Sequence, residues 1–277
     1  MEARLRIGCS SWTSPAWWGR VYPEKLGDGE RLRLYAGLYD TVEVDATYYR
    51  EPSAGLVRRW AQVTPPGFTF SLKVTRDLLE LKSPAARERL EAFVGAAALL
   101  GAKEGPLLAQ FPPGFRPARS ERSLATFLEA LPSGPRYAVE LRDAGWYRGA
   151  PWERLRRRLT DRGMALTWSY LTYLAIPPVV TADFVYVRFI GDHTTVPEVR
   201  HGEVQVDRSG TLREYARTLT EVRGSVREIF VYFNNHFAGF APASVNLFRE
   251  MLGFPPVDFG RSVRAPGGGS QTRLPGL

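Results

Sequence analysis

Several residue types are scarce in this chain, and each shortage excludes a class of structure. The single cysteine, Cys9, excludes a disulfide within the chain and fits a reducing compartment. No apolar run approaches the roughly 20 residues that a membrane-spanning helix needs, so no membrane partner is expected. The first segment, MEARLRIGCSSW, has no apolar stretch with a small-residue cleavage site, as a secretory signal would have. We therefore expect a cytoplasmic protein.

Lysine and asparagine are also rare. Of the 37 basic residues only four are lysines, and one of these, Lys73, lies in an apolar segment. Two of the three asparagines, Asn234 and Asn235, are adjacent and directly follow an apolar segment. A rare residue type inside or directly after an apolar segment favours a role in a binding site. Turn chemistry for asparagine and ordinary surface for lysine are the alternatives.

The chain is basic, with a formal net charge of +8. A basic surface suits a polyanionic partner such as nucleic acid. Many of the arginines, however, fall on predicted helical faces such as Trp152–Arg162, where solvated charge is expected. From charge alone, ordinary solvated arginines on helical faces therefore explain the basic composition better than nucleic-acid binding does.

Short apolar segments alternate with longer segments of helical spacing. Eight segments have the character of strands: Leu5–Ser10, Thr41–Asp45, Thr69–Val74, Pro106–Gln110, Arg136–Leu141, Ala165–Trp168, Phe184–Phe189 and Glu228–Phe233. Five helices are predicted between them: Arg31–Leu38, Pro84–Leu100, Ser120–Leu131, Pro151–Arg162 and Thr211–Arg223. This alternation predicts parallel βαβ units in an α/β fold. Eight strands without a break at the midpoint favour a single (β/α)8 TIM barrel over an open doubly wound sheet.

The length of the chain agrees with one such barrel, which takes about 250 residues. We assign residues 1–260 to a single TIM-barrel domain and residues 261–277, which contain APGGGS, to a flexible C-terminal tail. Residues 190–210 form the longest predicted loop and contain two of the three histidines. Long loops after barrel strands commonly serve as lids or walls of a site.

Polar residues recur at the ends of the predicted strands, where the active sites of TIM barrels lie. Glu43 and Asp45 are two residues apart and so point to the same side of their strand, as do Glu140 and Arg142. Buried charges are costly unless they are paired, so the charges on different strands are expected to converge. The charged members of this predicted cluster are Glu43, Lys73, Glu140, Arg142 and Arg188. A purely structural ion network is the alternative to a binding site.

At these residues the chain resembles the YecE-like family, also called domain of unknown function 72. The resemblance extends from about Leu5 to Phe254 and includes IGCSSWTSPAWWGRVYP, LYAGLYDTVEVDATYYREPS, YAVELRDAGWY and VYFNNHFAGFAPAS. It implies a TIM barrel, and it implies no established activity. A structural likeness of that family to endonuclease IV-type barrels suggests nucleic acid or metal-dependent hydrolysis.

The family pattern maps onto strand-end residues of this chain: Glu43, Thr47, Tyr48, Tyr49, Lys73, Gln110, Glu140, Arg142, Arg188, Asn234 and Asn235. Asp45 replaces an asparagine that is usual in the family. Asp143 and Ile190 stand where the family usually or often has histidine, and no histidine follows Lys73 in Val74–Leu78. Whatever those histidines do in other family members, this chain has to function without them.

A multinuclear zinc site is not expected, because the chain has only three histidines and only His236 is predicted to adjoin the cluster. A single Mg²⁺ held by Glu43, Asp45 or Glu140 stays open. The cations favour an anionic ligand, since Arg142 and Arg188 suit bidentate binding of phosphate or carboxylate.

The leading hypothesis is a hydrolase that acts on a phosphorylated or nucleic-acid-derived anionic substrate. Glu43 and Glu140 are the predicted acid and base or metal ligands, or a glycosidase-like pair. Lys73 is a point charge, a general acid or a Schiff-base nucleophile. The predicted substrate-binding residues are Arg142, Arg188, Asn234, Asn235, Gln110, Tyr48 and Trp12. The alternative is a non-catalytic protein that binds nucleic acid or a phospho-ligand.

Overall fold

Eight parallel strands form a closed barrel in this computed structural model, which describes residues 2–24, 26–192 and 194–259. The strands are β1 (Arg4–Cys9), β2 (Thr41–Val44), β3 (Thr69–Leu72), β4 (Leu107–Gln110), β5 (Tyr137–Glu140), β6 (Ala165–Tyr170), β7 (Phe184–Phe189) and β8 (Glu228–Phe233). Their order is β3-β2-β1-β8-β7-β6-β5-β4. The two ends of this order meet where Val74 N donates to Leu108 O (2.9 Å) and Gly105 N donates to Phe70 O (2.8 Å). The predicted single TIM barrel is confirmed, while the predicted tail at 261–277 lies outside the described residues.

Helices cover the outside of the barrel. They are α1 (Asp28–Leu38), α2 (Ala54–Val63), α3 (Pro84–Ala98), α4 (Pro117–Ala130), α5 (Gly149–Asp161), α6 (Ser209–Val222), α7 (Asn235–Ala238) and α8 (Ala241–Met251). The five predicted helices are confirmed with small shifts at their ends, and α2, α7 and α8 were not predicted. Ser83 caps α3, since its hydroxyl accepts a hydrogen bond from Ala86 N (3.2 Å). Among the described residues, no helix has the length and apolar character required to cross a membrane.

The connection between β6 and β7, residues 171–183, contains no helix. Pro177 and Pro178 are adjacent in it, and proline removes the backbone donors that a helix interior requires. The segment packs on β6 instead, because Trp168 Nε1 donates to Val179 O (3.0 Å) and Leu166 N donates to the Thr181 hydroxyl (2.8 Å). It therefore covers β6 in the place of a barrel helix.

The barrel interior is layered, because alternate residues of each strand point inward. The apolar layer in the middle is largely aromatic and spans two successive inward positions on β7 and on β8. It consists of Leu108, Ala138, Ala165, Phe184, Tyr186, Phe230 and Tyr232. Below it, at the amino ends of the strands, Glu228 pairs with Arg6 and with Arg136 (2.8 Å). Above it, at the carboxyl ends of the strands, the inward-pointing residues are polar. The apolar layer therefore separates two ionic layers at opposite ends of the barrel.

Two glycines allow neighbouring strands to approach closely. A Cβ at Gly8 in β1 would lie 2.2 Å from Thr41 O, and a Cβ at Gly105 would lie 2.8 Å from Phe70 O. Both distances are shorter than van der Waals contact and involve backbone atoms, which cannot move independently of their strands. These two positions therefore require glycine for the β1–β2 contact and for closure between β3 and β4.

We predict that Gly8→Ala lowers the free energy of unfolding by about 1–3 kcal/mol, because the added methyl group overpacks the contact between β1 and β2. The matched control is Gly95→Ala in α3, where a Cβ meets nothing within 4 Å. There the same change should raise stability by up to about 1 kcal/mol, since alanine favours the helix interior. Urea unfolding of the two variants measures both effects. Equal urea midpoints for Gly8→Ala and Gly95→Ala would contradict the prediction.

Candidate functional site

A ring of polar side chains lies at the carboxyl end of the barrel. Each strand, or the residue just after it, contributes one inward position: Ser10, Glu43, Lys73, Gln110, Glu140, Ser169, Arg188 and Asn234. The period of two along each strand explains this arrangement, since Arg188 follows the inward Tyr186 and Asn234 follows the inward Tyr232. The convergence of charges from several strands agrees with the sequence analysis.

Arg188 is the centre of this ring and is only 1% exposed. Its guanidinium forms a bidentate pair with Glu43, with Nε to Oε2 at 2.8 Å and Nη2 to Oε1 at 2.7 Å. Nη1 donates to Gln110 Oε1 (2.9 Å) and to Glu140 Oε2 (2.7 Å). Nη2 also lies 3.4 Å from Asp45 Oδ1. Every nitrogen of the guanidinium is thus engaged, as burial of a charge requires.

Both glutamates of the ring, Glu43 and Glu140, are fully buried. Glu140 accepts from Arg188, from the Ser169 hydroxyl (2.7 Å) and from Arg142 Nε. Burial alone would raise the pKa of Glu140, but the two arginines and these hydrogen bonds outweigh it and hold the pKa well below its usual range. Glu140 is therefore ionised at neutral pH.

Glu43 rests on the aromatic layer below. The Tyr186 hydroxyl donates to Glu43 Oε2 (2.7 Å), and burial together with the nearby carboxylate raises the pKa of Tyr186 well above its ordinary value. The tyrosine therefore stays protonated and remains a donor. The adjacent Tyr232 hydroxyl lies 2.8 Å from both Ser71 Oγ and Thr41 Oγ1. The polar ring is thus hydrogen-bonded to the interior of the barrel.

Lys73 and Asp45 form a second ion pair beside Arg188, with Nζ 3.1 Å from Oδ1. Nζ also lies 4.4 Å from the centroid of the Tyr48 ring, in a cation–π contact. Burial lowers the pKa of Lys73, and the attraction of Asp45 offsets this only in part because Arg188 is also close. The Asp45 side chain is 28% exposed, so it is the accessible carboxylate of the three.

A cavity of about 400 Å³ opens above the ring. Among its lining residues are Ser10, Asp45, Tyr48, Tyr49, Lys73, Gln110, Arg142, Arg188 and Asn234. Glu43 and Glu140 lie below its floor. The Ser10 hydroxyl is buried and has no hydrogen-bond partner among the described residues. A buried polar group without a partner is costly unless water or a ligand completes its hydrogen bonds.

Two of the residues predicted to bind substrate, Asn235 and Trp12, make contacts that hold other parts of the structure. Asn235 Oδ1 accepts from Trp17 Nε1 (3.3 Å) and Ala241 N (3.0 Å), and its Nδ2 donates to Ser14 Oγ (3.2 Å). The ring of Trp12 packs edge-on against Trp60 (5.6 Å) and Phe70, between β3 and α2. Asn235 therefore links the loops around the cavity and also lines it, whereas Trp12 is not among the lining residues.

The expectation that only His236 adjoins the cluster was wrong, because His201 from the loop after β7 also lines the cavity. The two rings stack edge to face with centroids 4.6 Å apart. His236 Nε2 lies 3.3 Å from Glu198 Oε1, and its Nδ1 lies 3.2 Å from Val196 O. The position of this loop depends on tertiary contacts, which residue spacing does not reveal, while His193 lies outside the described residues.

The buried carboxylates suit a guanidinium better than Mg²⁺. Both oxygens of Glu43 and both oxygens of Glu140 already accept hydrogen bonds from arginine, tyrosine or serine donors. Mg²⁺ would have to displace Arg188 from both glutamates, and it gives up its own water reluctantly. In the part of the chain that the structure describes, no group of three or more His, Cys, Asp or Glu residues is arranged to hold a metal ion.

Comparisons with known proteins agree with this architecture. The family model described as "Protein of unknown function DUF72" matches residues 6–266. The UPF0759 protein YunF of Bacillus subtilis is 22% identical over 275 residues, which cover 90% of this chain and 94% of YunF. A DUF72 family protein of Thermotoga maritima has a similar crystal structure, with 26% identity and a TM-score of 0.74 over 90% of this chain and 99% of the other. One from Enterococcus faecalis has 21% identity and a TM-score of 0.73 over 91% and 98%.

We predict that Glu140→Gln lowers the free energy of unfolding at pH 7 by about 3 kcal/mol, because it removes one partner of a buried ion pair. Since the folded-state pKa of Glu140 is depressed, its contribution is present above the unfolded-state pKa of about 4.3 and is lost as pH falls through the folded value. The difference between the variant and the unaltered protein should therefore shrink from about pH 5 downward.

Urea unfolding at a series of pH values measures this difference. The control is Glu153→Gln, which removes an exposed pair with Arg156 and should leave stability unchanged at every pH. A difference for Glu140→Gln that does not depend on pH would contradict the prediction.

Proposed function

This chain belongs to the DUF72 family, and from the geometry of its cavity we propose that it is a hydrolase of small phosphorylated substrates. The observation that carries the proposal is the Ser10 hydroxyl, which is buried, has no partner among the described residues and lines a cavity together with Lys73 and Arg142. A phosphoryl oxygen held by these three side chains would give that hydroxyl an acceptor. Hydrogen bonds between neutral donors and ionised acceptors are strong.

N–H groups of Arg142 and Lys73 that point beyond their ion pairs, rather than an excess of positive charge, would hold the phosphate. The ring together with Asp45 and Arg142 contains three carboxylates and three cations that pair with one another, so these charges cancel. Arg142 uses Nε and Nη2 for Glu140 and Gln110, yet its side chain is still 17% exposed and a guanidinium has five N–H donors. Lys73 likewise has three N–H donors. This favours a small substrate with one anionic group over an extended polyanion.

Asp45 and Lys73 are the pair suited to move protons in this cavity. In the proposed step, a water oxygen forms a bond to phosphorus while the phosphorus–oxygen bond to the leaving group breaks. Asp45 accepts the proton of the water, and Lys73 gives a proton to the leaving oxygen. Proton transfer across the 3.1 Å contact between them restores the starting state. The lowered pKa of Lys73 makes it a better acid for this role.

Glu43 and Glu140 act in this proposal as positioning residues. Neither lines the cavity, and both are fully buried behind Arg188. Glu140 orients Arg142 through its Nε, and Glu43 fixes Arg188, which in turn contacts Asp45. Their part in the reaction is therefore to hold the side chains that meet the substrate, rather than the acid–base role that their strand positions suggested.

We predict that Asp45→Asn lowers the turnover of phosphate monoesters by at least about a hundredfold, because general base catalysis contributes that much or more. Phosphate release from a panel of monoesters and diesters measures it. Asp77→Asn, a neutralised exposed aspartate on the next loop of the same face, should retain full activity. If the unaltered protein binds phosphate compounds or nucleic acid without turnover, the protein is a binder and the hydrolase proposal fails.

We also predict that Ser10→Ala weakens the binding of inorganic phosphate by tenfold or more, on the order of one hydrogen bond to a charged group, while thermal stability stays equal or rises. Stability should not fall, because the hydroxyl has no hydrogen bond to lose with any of the described residues. Calorimetric titration with phosphate and a thermal melt measure the two effects. Ser225→Ala, at an exposed position near the other end of the barrel, serves as control. Unchanged phosphate affinity in Ser10→Ala would contradict the assignment.

A further inference from the structure

Exposed apolar side chains gather on the face that carries the cavity. Among the described residues six large apolar side chains are exposed, and four of them lie on loops that follow strands: Tyr49, Tyr173, Val199 and Val204. One exposed apolar residue is ordinary on a protein surface. Of these four, Tyr49 is the one that lines the cavity.

Tyr49 is the most informative of these residues, because it lines the cavity and is 81% exposed. Its ring meets the Tyr48 ring edge to face, with centroids 5.3 Å apart and planes at 87°. Tyr48 is itself buried and carries the Lys73 ammonium against its ring. The buried neighbour therefore fixes the orientation of Tyr49 while most of the Tyr49 ring surface stays accessible to a ligand.

The contacts from Lys73 through Tyr48 to Tyr49 run from the floor of the cavity to its rim. The ammonium lies 4.4 Å from the Tyr48 centroid, and the next centroid lies 5.3 Å further along. The open ring is thus within the length of one mononucleotide from the ammonium. A ligand with its phosphate at Lys73 and a planar ring at Tyr49 would span the two without strain.

Tyr173, another of the four, lines a separate pocket together with Ser169 and Tyr170. It follows β6, which lies across the closed barrel from β2, the strand that precedes Tyr49. Partial burial raises the pKa of Tyr173, while the charges of Arg142 and Glu140 also act on its hydroxyl. The side chain is exposed and feels the charges of the polar cluster without lining the cavity.

We propose that the substrate is a phosphate monoester whose ester group carries a planar ring, as in a nucleoside monophosphate, and that the ring stacks on Tyr49. This rests on the proposed function, which places the phosphate at Lys73, Arg142 and Ser10. Aromatic stacking tolerates any base because every base has a π-face. The cavity, at about 400 Å³, is within the size range of sites for small ligands.

Calorimetric titration with adenosine 5′-monophosphate and with ribose 5-phosphate tests the inference, because the two ligands differ only in the base. The unaltered protein should bind the nucleotide about tenfold more tightly, the scale of one base–aromatic stack. Tyr49→Ala should abolish this difference and leave the affinity for ribose 5-phosphate unchanged. Tyr49→Phe, which keeps the ring, should preserve the difference. Leu247→Ala, an exposed apolar position on α8, is the matched control.

The possible results distinguish stacking on Tyr49 from the phosphate site on which it rests. Equal binding of the two ligands, or an equal loss of both in Tyr49→Ala, would overturn the stacking role and leave the phosphate site intact. Failure of both ligands to bind would overturn the stacking role and the proposed function together. Binding of a single-stranded oligonucleotide far more tightly than the mononucleotide would also overturn the inference, because the ligand would then be a polyanion.

Discussion

The bidentate pair between Arg188 and Glu43 is the interaction on which the carboxyl end of the barrel depends. A buried guanidinium is stable only if its donors meet acceptors and its charge is compensated. Gln110 and Glu140 supply the remaining acceptors at 2.9 Å and 2.7 Å. These residues come from four different strands. The closed barrel is therefore what assembles the ion cluster, and the cluster in turn fixes the relative positions of the strand ends.

The aromatic interior supports this arrangement from below. The interior layers of TIM barrels are dominated by branched aliphatic residues, whereas here Tyr186 and Tyr232 fill the middle of the barrel. A tyrosine brings a large apolar ring and a hydroxyl at its end. The ring occupies the core while the hydroxyl of Tyr186 reaches Glu43. The use of tyrosine therefore allows a fully buried carboxylate to rest directly on a hydrophobic core.

The sequence predicted the barrel and most of the polar ring, because both follow from periodicity. Strand alternation placed Glu43, Glu140 and Arg188 on one face, and these residues do converge. It could not predict which charges pair, since Glu43 and Arg188 are 145 residues apart. The position of His201 was missed because it lies in a loop, where side-chain direction has no period. Likewise, the unpartnered hydroxyl of Ser10 is visible only once its surroundings are known.

The ion cluster also determines which of its members can react. By engaging both buried glutamates, Arg188 leaves Asp45 as the one carboxylate of the three that is accessible from the cavity. The charge of Arg188 also helps burial to lower the pKa of Lys73. Arg188 thereby engages Glu43 and Glu140, which leaves only Asp45 for the proposed proton transfer. It also helps to lower the pKa of Lys73, which pairs with Asp45. The same pairing cancels the charges of the cluster, so in the proposed function selectivity would come from directed hydrogen-bond donors and from Tyr49. A cluster that looks from the sequence like an excess of positive charge is, for this reason, a neutral network of ion pairs in the folded protein.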